Sequence, residues 1–243
     1  MRVEFLGTSG FYPTEQRHTS CVFLPAAGIV FDAGTGMFRL PNRLQTKHID
    51  IFLSHSHLDH IVGLTYLLPH IVDGRLESAA VHGSATTIEA IREHLFASEI
   101  FPVRIPFEFV ELTEPREVAG GRLTFREQAH PGGSLGYRID WPDRSLAYVT
   151  DTNSDVQEIE FIRHVDLLIH ECTYPDGHEE IAEHTGHSTT TPVCTLARDA
   201  AVKRLLLTHF DPYLNLDDPV DLEKARNIFT DTDIAQDELA LEF

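Results

Sequence analysis

The feature that most constrains the fold of this chain is a short cluster of metal-binding side chains placed between an apolar run and a helical pattern. Residues 53–60 read Leu-Ser-His-Ser-His-Leu-Asp-His. On an extended chain, residues two apart point the same way, so His55 and His57 are predicted to hold one ion. The following eight residues have the apolar spacing of a helix. Asp59 and His60, at the start of that helix, are therefore predicted to face a second ion.

The donor types narrow the kind of ion. Imidazole nitrogens and carboxylate oxygens without thiolates suit zinc, manganese or iron, and a site with a position open to water is catalytic rather than structural in type. The alternative is a polar loop that is merely rich in histidine. A compact motif between a strand and a helix favours the metal site, because that context is the one in which such a motif functions.

This motif resembles the signature of the metallo-β-lactamase superfamily, in which the further ligands are a His, an Asp and a final His, each at the end of a strand. Here His130, Asp151 and His209 each follow a strand-like segment, in the same order. The resemblance implies three ligands for the first ion: His55, His57 and His130. It implies three for the second ion: Asp59, His60 and His209. Asp151 bridges the two ions, which the resemblance identifies as zinc, with Mn²⁺ or Fe²⁺ as alternatives.

Periodicity predicts an α/β or α+β chain, and the resemblance implies a four-layer αββα metallo-β-lactamase sandwich. The length of 243 residues fits one domain over residues 1–243. Ser84 is predicted to cap a helix. The predicted strands cover residues 2–6, 19–24, 28–31, 49–53, 80–83, 107–112, 122–126, 135–139, 146–150, 166–170 and 204–208. The predicted helices cover residues 61–68, 84–96, 156–163 and 191–201.

Charge limits the partners. The formal net charge is −19 with only three lysines, which argues against a broad surface for extended nucleic acid. Bound divalent ions restore positive charge locally, so a small anionic phosphodiester is the expected partner. The acidic C-terminal positions between residues 217 and 238 are interpreted as a solvated surface.

The sequence also predicts the cellular compartment of the protein. No apolar run reaches the length of a membrane span, residues 1–7 have a strand pattern rather than that of a signal peptide, and the three cysteines lack disulfide or metal spacing. We therefore predict a cytoplasmic protein without a membrane partner.

Two further segments resemble the ribonuclease Z branch of the superfamily. Residues 169–173 read Ile-His-Glu-Cys-Thr and residues 186–189 read Gly-His-Ser-Thr, similar to the His-Glu-Ala-Thr and His-Ser-Thr motifs of that branch. The resemblance implies that His187 is a general acid or a donor to the phosphoryl oxygens, and that Glu171 orients it. Asp59 is the family's candidate to orient or deprotonate the attacking water as well as a ligand.

The resemblance breaks at two places. Ribonuclease Z enzymes generally carry a basic, flexible arm between the His and Asp ligands, whereas only twenty residues separate His130 from Asp151 here and they have a hairpin pattern. After the last ligand the sequence is Phe-Asp-Pro instead of the usual neighbourhood. At both places the sequence is more similar to the compact cyclic phosphodiesterases related to ribonuclease Z. Arg17 and Arg138 are candidate phosphate contacts or plain surface charges.

The sequence therefore predicts a dinuclear metal-dependent hydrolase that acts on a small or cyclic phosphodiester. The first alternative is an endoribonuclease that processes transfer RNA 3′ ends, with a basic surface supplied by a homodimer partner. Hydrolysis of a thioester, a lactone or a β-lactam is a further alternative. A flavin-linked diiron relative is disfavoured because His57 stands where such proteins have Glu. The non-enzymatic alternative is a metal-binding scaffold.

Overall fold

The computed structural model describes residues 1–214 and 217–243, which fall into two compact units. Unit 1 contains Met1–Glu114 and Asp237–Glu242, and unit 2 contains Pro115–Gln236 and Phe243. Each unit is built on one seven-stranded mixed sheet. The prediction of a single domain over residues 1–243 stays a prediction.

Unit 1 holds the first half of the strands. They are β1 (Arg2–Gly7), β2 (Cys21–Leu24), β3 (Ile29–Phe31), β4 (His48–Phe52), β5 (Ser78–Gly83), β6 (Glu108–Glu111) and β14 (Ala240–Glu242). Their order in the sheet is β14-β1-β2-β3-β4-β5-β6. The pairs from β14 to β3 are antiparallel, and those from β3 to β6 are parallel.

Short helices connect the parallel strands of unit 1. They are α1 (Leu58–Ile61), α2 (Leu68–Val72) and α3 (Ala85–Ala90), with 3₁₀ helices at Thr35–Asn42 and Val62–Leu67 and a π-helical turn at Ile91–Leu95. The oxygen of Ser84 accepts the Thr87 N–H, so the predicted cap of α3 is confirmed. Apolar side chains from these helices and from the central strands, such as Leu53, Leu64 and Val81, form one buried core.

Unit 2 repeats the arrangement with the remaining strands. They are β7 (Arg116–Val118), β8 (Gly121–Gln128), β9 (Ser134–Trp141), β10 (Arg144–Val149), β11 (Leu167–Glu171), β12 (Leu205–Thr208) and β13 (Thr232–Ile234). Their order is β13-β12-β11-β10-β9-β8-β7. The pairs from β13 to β10 are parallel, and those from β10 to β7 are antiparallel.

The helices of unit 2 are α4 (Glu158–Ile162), α5 (Glu179–Thr185), α6 (Thr190–Asp199) and α7 (Leu222–Ile228). Val193 and Ala197 of α6 pack with Leu168, Leu205 and Leu207 in a second buried core. The three cysteines are free and buried, as the sequence predicts. Burial raises the pKa of the Cys194 thiol to about 12, so it is inert rather than reactive.

The structure differs from the predicted elements in several places. The helix predicted over residues 61–68 is instead split between α1, a 3₁₀ helix and α2. A β-carbon at Gly63 would lie 2.3 Å from the carbonyl oxygen of Gly34, so the chain passes too close for a side chain here. The sequence patterns also missed β7, β13, β14, α5 and α7, which are short or highly charged. Among the described residues, no helix combines the length and the apolar character needed to cross a membrane.

Candidate metal centre

The carboxyl edge of the parallel strands of unit 2 gathers three predicted site residues. Asp151 follows β10, Glu171 ends β11 and His209 follows β12. These strands are parallel neighbours, so their carboxyl ends meet at one edge of the sheet. The sequence folds this way because β10 to β12 are almost entirely apolar and buried, which leaves polar side chains only where each strand ends.

Asp151 lies between two imidazoles of the same unit. Its Oδ1 is 3.3 Å from Nε2 of His209, and its Oδ2 is 3.8 Å from Nε2 of His130. Ligand atoms of Asp151, His187 and His209 all lie within 4.8 Å of one another. All of these side chains except His187 are only 2–3% exposed. Asp151 therefore lies between the imidazoles of two predicted ligands, and its role as a bridging ligand stays a prediction.

The backbone is strained at Asp151 and His209. Asp151 has a φ of 48° and His209 a φ of 60°, in the left-handed region that residues other than glycine seldom adopt. Such outliers persist where the surroundings hold them, and they concentrate at functional sites. Here they turn each side chain at the end of its strand.

Hydrogen bonds orient the imidazoles of unit 2. Nδ1–H of His130 donates to the carbonyl oxygen of Gly186 over 3.0 Å. Nδ1 of His209 is 3.0 Å from the hydroxyl of Thr173, which donates to Glu171. A partner of this kind on one ring nitrogen selects the tautomer in which the other nitrogen coordinates metal. Gly186 has a φ of 75°, and a β-carbon there would lie 2.9 Å from Nδ1 of His130.

Glu171 and His187 form a pair beside these ligands. Nδ1 of His187 is 3.1 Å from Oε1 of Glu171, whose side chain is fully buried, whereas the His187 ring is 14% exposed. Backbone N–H groups of Thr152, Ser188 and Thr173 also donate to the same carboxylate. Burial alone raises the pKa of Glu171, but the charge and hydrogen bond of His187 and the charge of His209 outweigh it and lower the pKa.

The His187 ring also lies close to both imidazoles among the predicted ligands of this unit. Its ring centroid is 5.2 Å from that of His130 and 5.3 Å from that of His209. Glu171 lies at Nδ1 of His187 and orients its ring. In chemical terms, Glu171 can orient the imidazole of His187.

Unit 1 orients its predicted ligands in the same way. His55 and His60 follow β4, and Asp32 follows its parallel neighbour β3. Nδ1–H of His60 donates to Oδ2 of Asp32 over 2.8 Å, and Nε2 of His60 is 3.3 Å from Oδ2 of Asp59. The hydroxyl of Ser54 donates to Asp32 and lies 3.0 Å from Nδ1 of His55.

The rings of this motif lie close together. The ring centroid of His55 is 4.3 Å from that of His57 and 4.3 Å from that of His60. The donor set of each unit consists of imidazole nitrogens and carboxylate oxygens with outer hydrogen bonds, which fits a divalent metal such as zinc, manganese or iron.

Sequence reasoning missed Asp32, whose carboxylate is fully buried. The signal was available, since a carboxylate directly after an apolar strand is an expensive group to bury without a polar task.

Some residues outside the ligand set have partners that the sequence did not predict. Arg138 is not a free phosphate contact, because it donates to Asp140 and to the carbonyl oxygens of Phe161 and Arg163. His82, outside the predicted ligand set, is buried, and its Nε2 lies 2.7 Å from Oδ1 of Asp50. Most of the acidic positions between residues 217 and 238 are exposed, and the exposed Asp221 caps α7. Asp237 is an exception, because it accepts hydrogen bonds from Arg39 and Thr8.

The chain is similar in sequence to a known family of proteins. A model of the beta-lactamase superfamily domain matches residues 28–210. Ribonuclease Z of Methanosarcina acetivorans is 27% identical, in an alignment that covers 100% of this chain and 98% of the relative. Ribonuclease Z of Microcystis aeruginosa is 32% identical and is covered to 96%, again with 100% of this chain.

Solved structures share the fold. The metallo-beta-lactamase fold protein YhfI from Bacillus subtilis has a TM-score of 0.84 at 22% identity, covering 100% of this chain and 98% of that one. The short form of human tRNase Z has a TM-score of 0.78 at 23% identity, covering 100% and 99%. A diphosphatase of the PhnP family has a TM-score of 0.75 at 22% identity, covering 100% and 98%. The predicted fold class is confirmed.

Proposed function

Because the chain belongs to the beta-lactamase superfamily, in its ribonuclease Z-like branch of hydrolases, we propose that it is a metal-dependent phosphodiesterase acting on small or cyclic phosphodiesters. The observation that carries this proposal is the pairing of His187 with the buried Glu171 beside Asp151 and His209. Simple metal binding does not require an oriented imidazole next to the ligands, whereas a donor to the leaving oxygen accelerates cleavage of a phosphodiester by about two to four decades.

We propose the cofactor from the same ligands. His55, His57, Asp59 and His60 of unit 1, with His130, Asp151 and His209 of unit 2, are proposed to bind two divalent ions, with zinc as the first choice. When bound, two such ions would supply positive charge for the phosphoryl oxygens and would lower the pKa of water. This charge also attracts an anionic substrate to a chain whose own net charge is −19.

The remaining steps belong to side chains of this protein. Nε2 of His187 donates a proton or a hydrogen bond to the substrate, while Glu171 holds its Nδ1 and stabilises the charged imidazole. Asp59 accepts the N–H of Phe11 through Oδ2 and is proposed to orient the attacking water as well as to bind metal. Each role assigns one atom, so each can be tested by one substitution.

The size of the substrate is inferred from the segment between His130 and Asp151. β9 and β10 pair in register from Trp141 and Arg144 inward, so a two-residue turn joins them and the segment carries no arm. The alignments with the two ribonuclease Z relatives run over 299 and 308 residues, although this chain has 243, so tens of their residues have no counterpart here. These observations favour a small substrate over folded RNA.

Processing of transfer RNA 3′ ends is the second candidate. It is favoured by one observation, the full-length similarity to proteins named ribonuclease Z. In this case a homodimer partner is proposed to supply the basic surface that a chain of net charge −19 needs to bind RNA. A cytoplasmic location is proposed for either activity.

The test compares substrates on protein reconstituted with zinc, manganese or iron. Bis(p-nitrophenyl) phosphate, a panel of cyclic nucleotides and a transfer RNA precursor are assayed side by side, with Asp151→Ala as the inactive control. Turnover of the small diesters without RNA cleavage is the expected result. Cleavage at the 3′ end of the precursor would favour the second candidate, and inactivity on all three would overturn both and direct attention to thioesters and lactones.

A further inference from the structure

Phe11 has a backbone conformation that is costly for any residue with a side chain. Its φ is 57°, and the Tyr12 N–H donates across it to the carbonyl oxygen of Gly10 over 2.7 Å. A hydrogen bond that spans three residues around a central positive φ is the rare and strained form of the γ-turn. Glycine is the residue that adopts this conformation without cost, yet the chain has a large aromatic residue here.

The neighbouring residues hold this turn in place. The Ser9 hydroxyl lies 3.1 Å from the carbonyl oxygens of both Gly10 and Tyr12. The Ser9 N–H donates to the carbonyl oxygen of His18 over 2.8 Å. A strained conformation persists only where several contacts determine it, and these contacts meet that condition.

The turn is fixed to the predicted metal motif of its own unit. The Phe11 N–H donates to Oδ2 of Asp59 over 2.8 Å, and the same oxygen is 3.3 Å from Nε2 of His60. Asp32, which holds Nδ1 of His60 in the same unit, also has a positive φ, of 57°. Phe11 therefore belongs to the group of residues whose backbone is distorted where function is expected, although it has no coordinating atom.

The Phe11 ring contributes little to folding. Phe11 is 72% exposed, and its ring meets the Tyr12 ring edge-on, with 5.7 Å between the two centroids. An aromatic ring left in water provides almost none of the burial energy that usually offsets strain. A strained backbone and an exposed ring at the metal motif together point to a contact with something outside the chain.

We propose that Phe11 is a specificity-determining residue whose ring stacks on an aromatic group of the substrate, such as a nucleobase. This inference rests on the proposed function and narrows its substrate class to phosphodiesters of nucleosides or of aryl alcohols. Every nucleobase offers a π face, so stacking on one phenylalanine accepts any base, and removal of such a contact weakens binding about 5- to 100-fold.

The first test measures binding, which does not require turnover. Calorimetry on zinc-reconstituted protein compares adenosine 5′-monophosphate with ribose 5-phosphate, which has the same phosphate and sugar but no base. The native protein is expected to prefer the nucleotide. Phe11→Gly and Phe11→Leu are expected to lose that preference while still binding ribose 5-phosphate, and Phe11→Trp is expected to keep it. Absence of the preference in the native protein, or its survival in Phe11→Leu, overturns the proposal.

The second test measures stability and separates a structural role from a ligand-binding role. Phe11→Gly removes the strain, so its melting temperature is expected to rise by about 2 to 4 °C although its nucleotide preference is lost. Ala119→Gly is the matched control, because Ala119 is an exposed residue with a φ of 46° in the turn between β7 and β8. It is expected to gain stability without any change in nucleotide binding.

The outcomes distinguish this inference from the proposed function. A lower melting temperature for Phe11→Gly means that the ring supports the fold and overturns the inference. A native protein that prefers the nucleotide but hydrolyses no phosphodiester keeps the inference and overturns the proposed function. A native protein that hydrolyses phosphodiesters but binds the two ligands with equal affinity keeps the proposed function and overturns the inference.

Discussion

At the scale of single residues, the predicted ligands are oriented by partners that are distant in sequence. Asp32 holds Nδ1 of His60, and Gly186 holds Nδ1 of His130. A histidine without such a partner can rotate and change tautomer, which weakens its metal binding. These partners therefore determine how strongly the predicted ligands hold an ion.

The role of Asp32 can be measured directly. Asp32→Ala removes the acceptor that holds His60 and Ser54, so we expect zinc affinity to fall about 10- to 100-fold. Competition with a chelator of known affinity measures the change. Asp50→Ala is a matched control, because Asp50 bonds His82 in the same unit and His82 is not a predicted ligand. Equal losses in both variants would show that Asp32 acts through general stability.

His187 is expected to affect turnover rather than metal content. His187→Ala removes the donor held by Glu171, and the loss of a general acid lowers the rate by about two to four decades. Metal analysis and turnover of bis(p-nitrophenyl) phosphate are measured on the same sample. His178→Ala, a change at an exposed histidine, serves as the control. Loss of metal in His187→Ala would mean that His187 is a ligand.

At the scale of secondary-structure elements, the order of the strands explains why polar residues far apart in sequence become neighbours. In each unit the carboxyl ends of parallel strands share one edge, and Asp32 meets Ser54 at such an edge just as Asp151 meets His209. The antiparallel strands of each sheet carry fewer of these residues. The hairpin of β9 and β10 occupies the segment between His130 and Asp151, and this segment carries no arm.

The contact that joins β13 to α7 predicts a pH dependence. Burial alone raises the pKa of Asp233, but hydrogen bonds and charge from Arg204 and Arg226 outweigh it and lower the pKa. A carboxyl with a lowered pKa stabilises the folded state above its unfolded pKa, near 4, and this contribution disappears as the pH falls through the lower folded pKa. We therefore expect the free energy of unfolding to decrease below about pH 4.

Urea denaturation at several pH values tests this expectation. Asp233→Asn is expected to be less stable than the native protein at pH 7 and to lose less stability on acidification. Asp231→Asn is the control, because Asp231 is exposed. If Asp233→Asn follows the acid dependence of the native protein, the ion pairs with the two arginines are not its source.

At the scale of the whole molecule, the dominant property is a net charge of −19. Charge of one sign repels itself in the compact state, and salt screens this repulsion because the Debye length falls from about 30 Å at 0.01 M to about 10 Å at 0.1 M. The melting temperature is expected to rise by about 2 °C over this range, which corresponds to about 0.5 to 1 kcal/mol in a chain of this size.

Sodium and potassium chloride are compared at equal ionic strength, since screening does not depend on the identity of the monovalent cation. A melting temperature that does not change with salt would show that the ion pairs inside each unit, such as Arg39 with Asp237, already offset the repulsion.

The sequence by itself determined the fold class and the motif at the centre of the predicted site. His55, His57, Asp59 and His60 are so close in sequence that any strand-to-helix turn brings them together. His130, Asp151 and His209 were identified as further ligands from the resemblance to the metallo-β-lactamase superfamily, and these assignments stay predictions. Boundaries of short helices were less predictable, since tertiary contacts such as that of Gly63 with the backbone at Gly34 decide them.

Only the tertiary structure decided which residues orient the ligands and where strain is stored. Asp32 reaches His60 because β3 and β4 are parallel neighbours, and Thr173 reaches His209 because β11 and β12 are. The positive φ of Phe11 depends on its turn and on Asp59, which is 48 residues away. Local sequence encodes periodicity and spacing, whereas long-range hydrogen bonds depend on how the strands are ordered in the sheet.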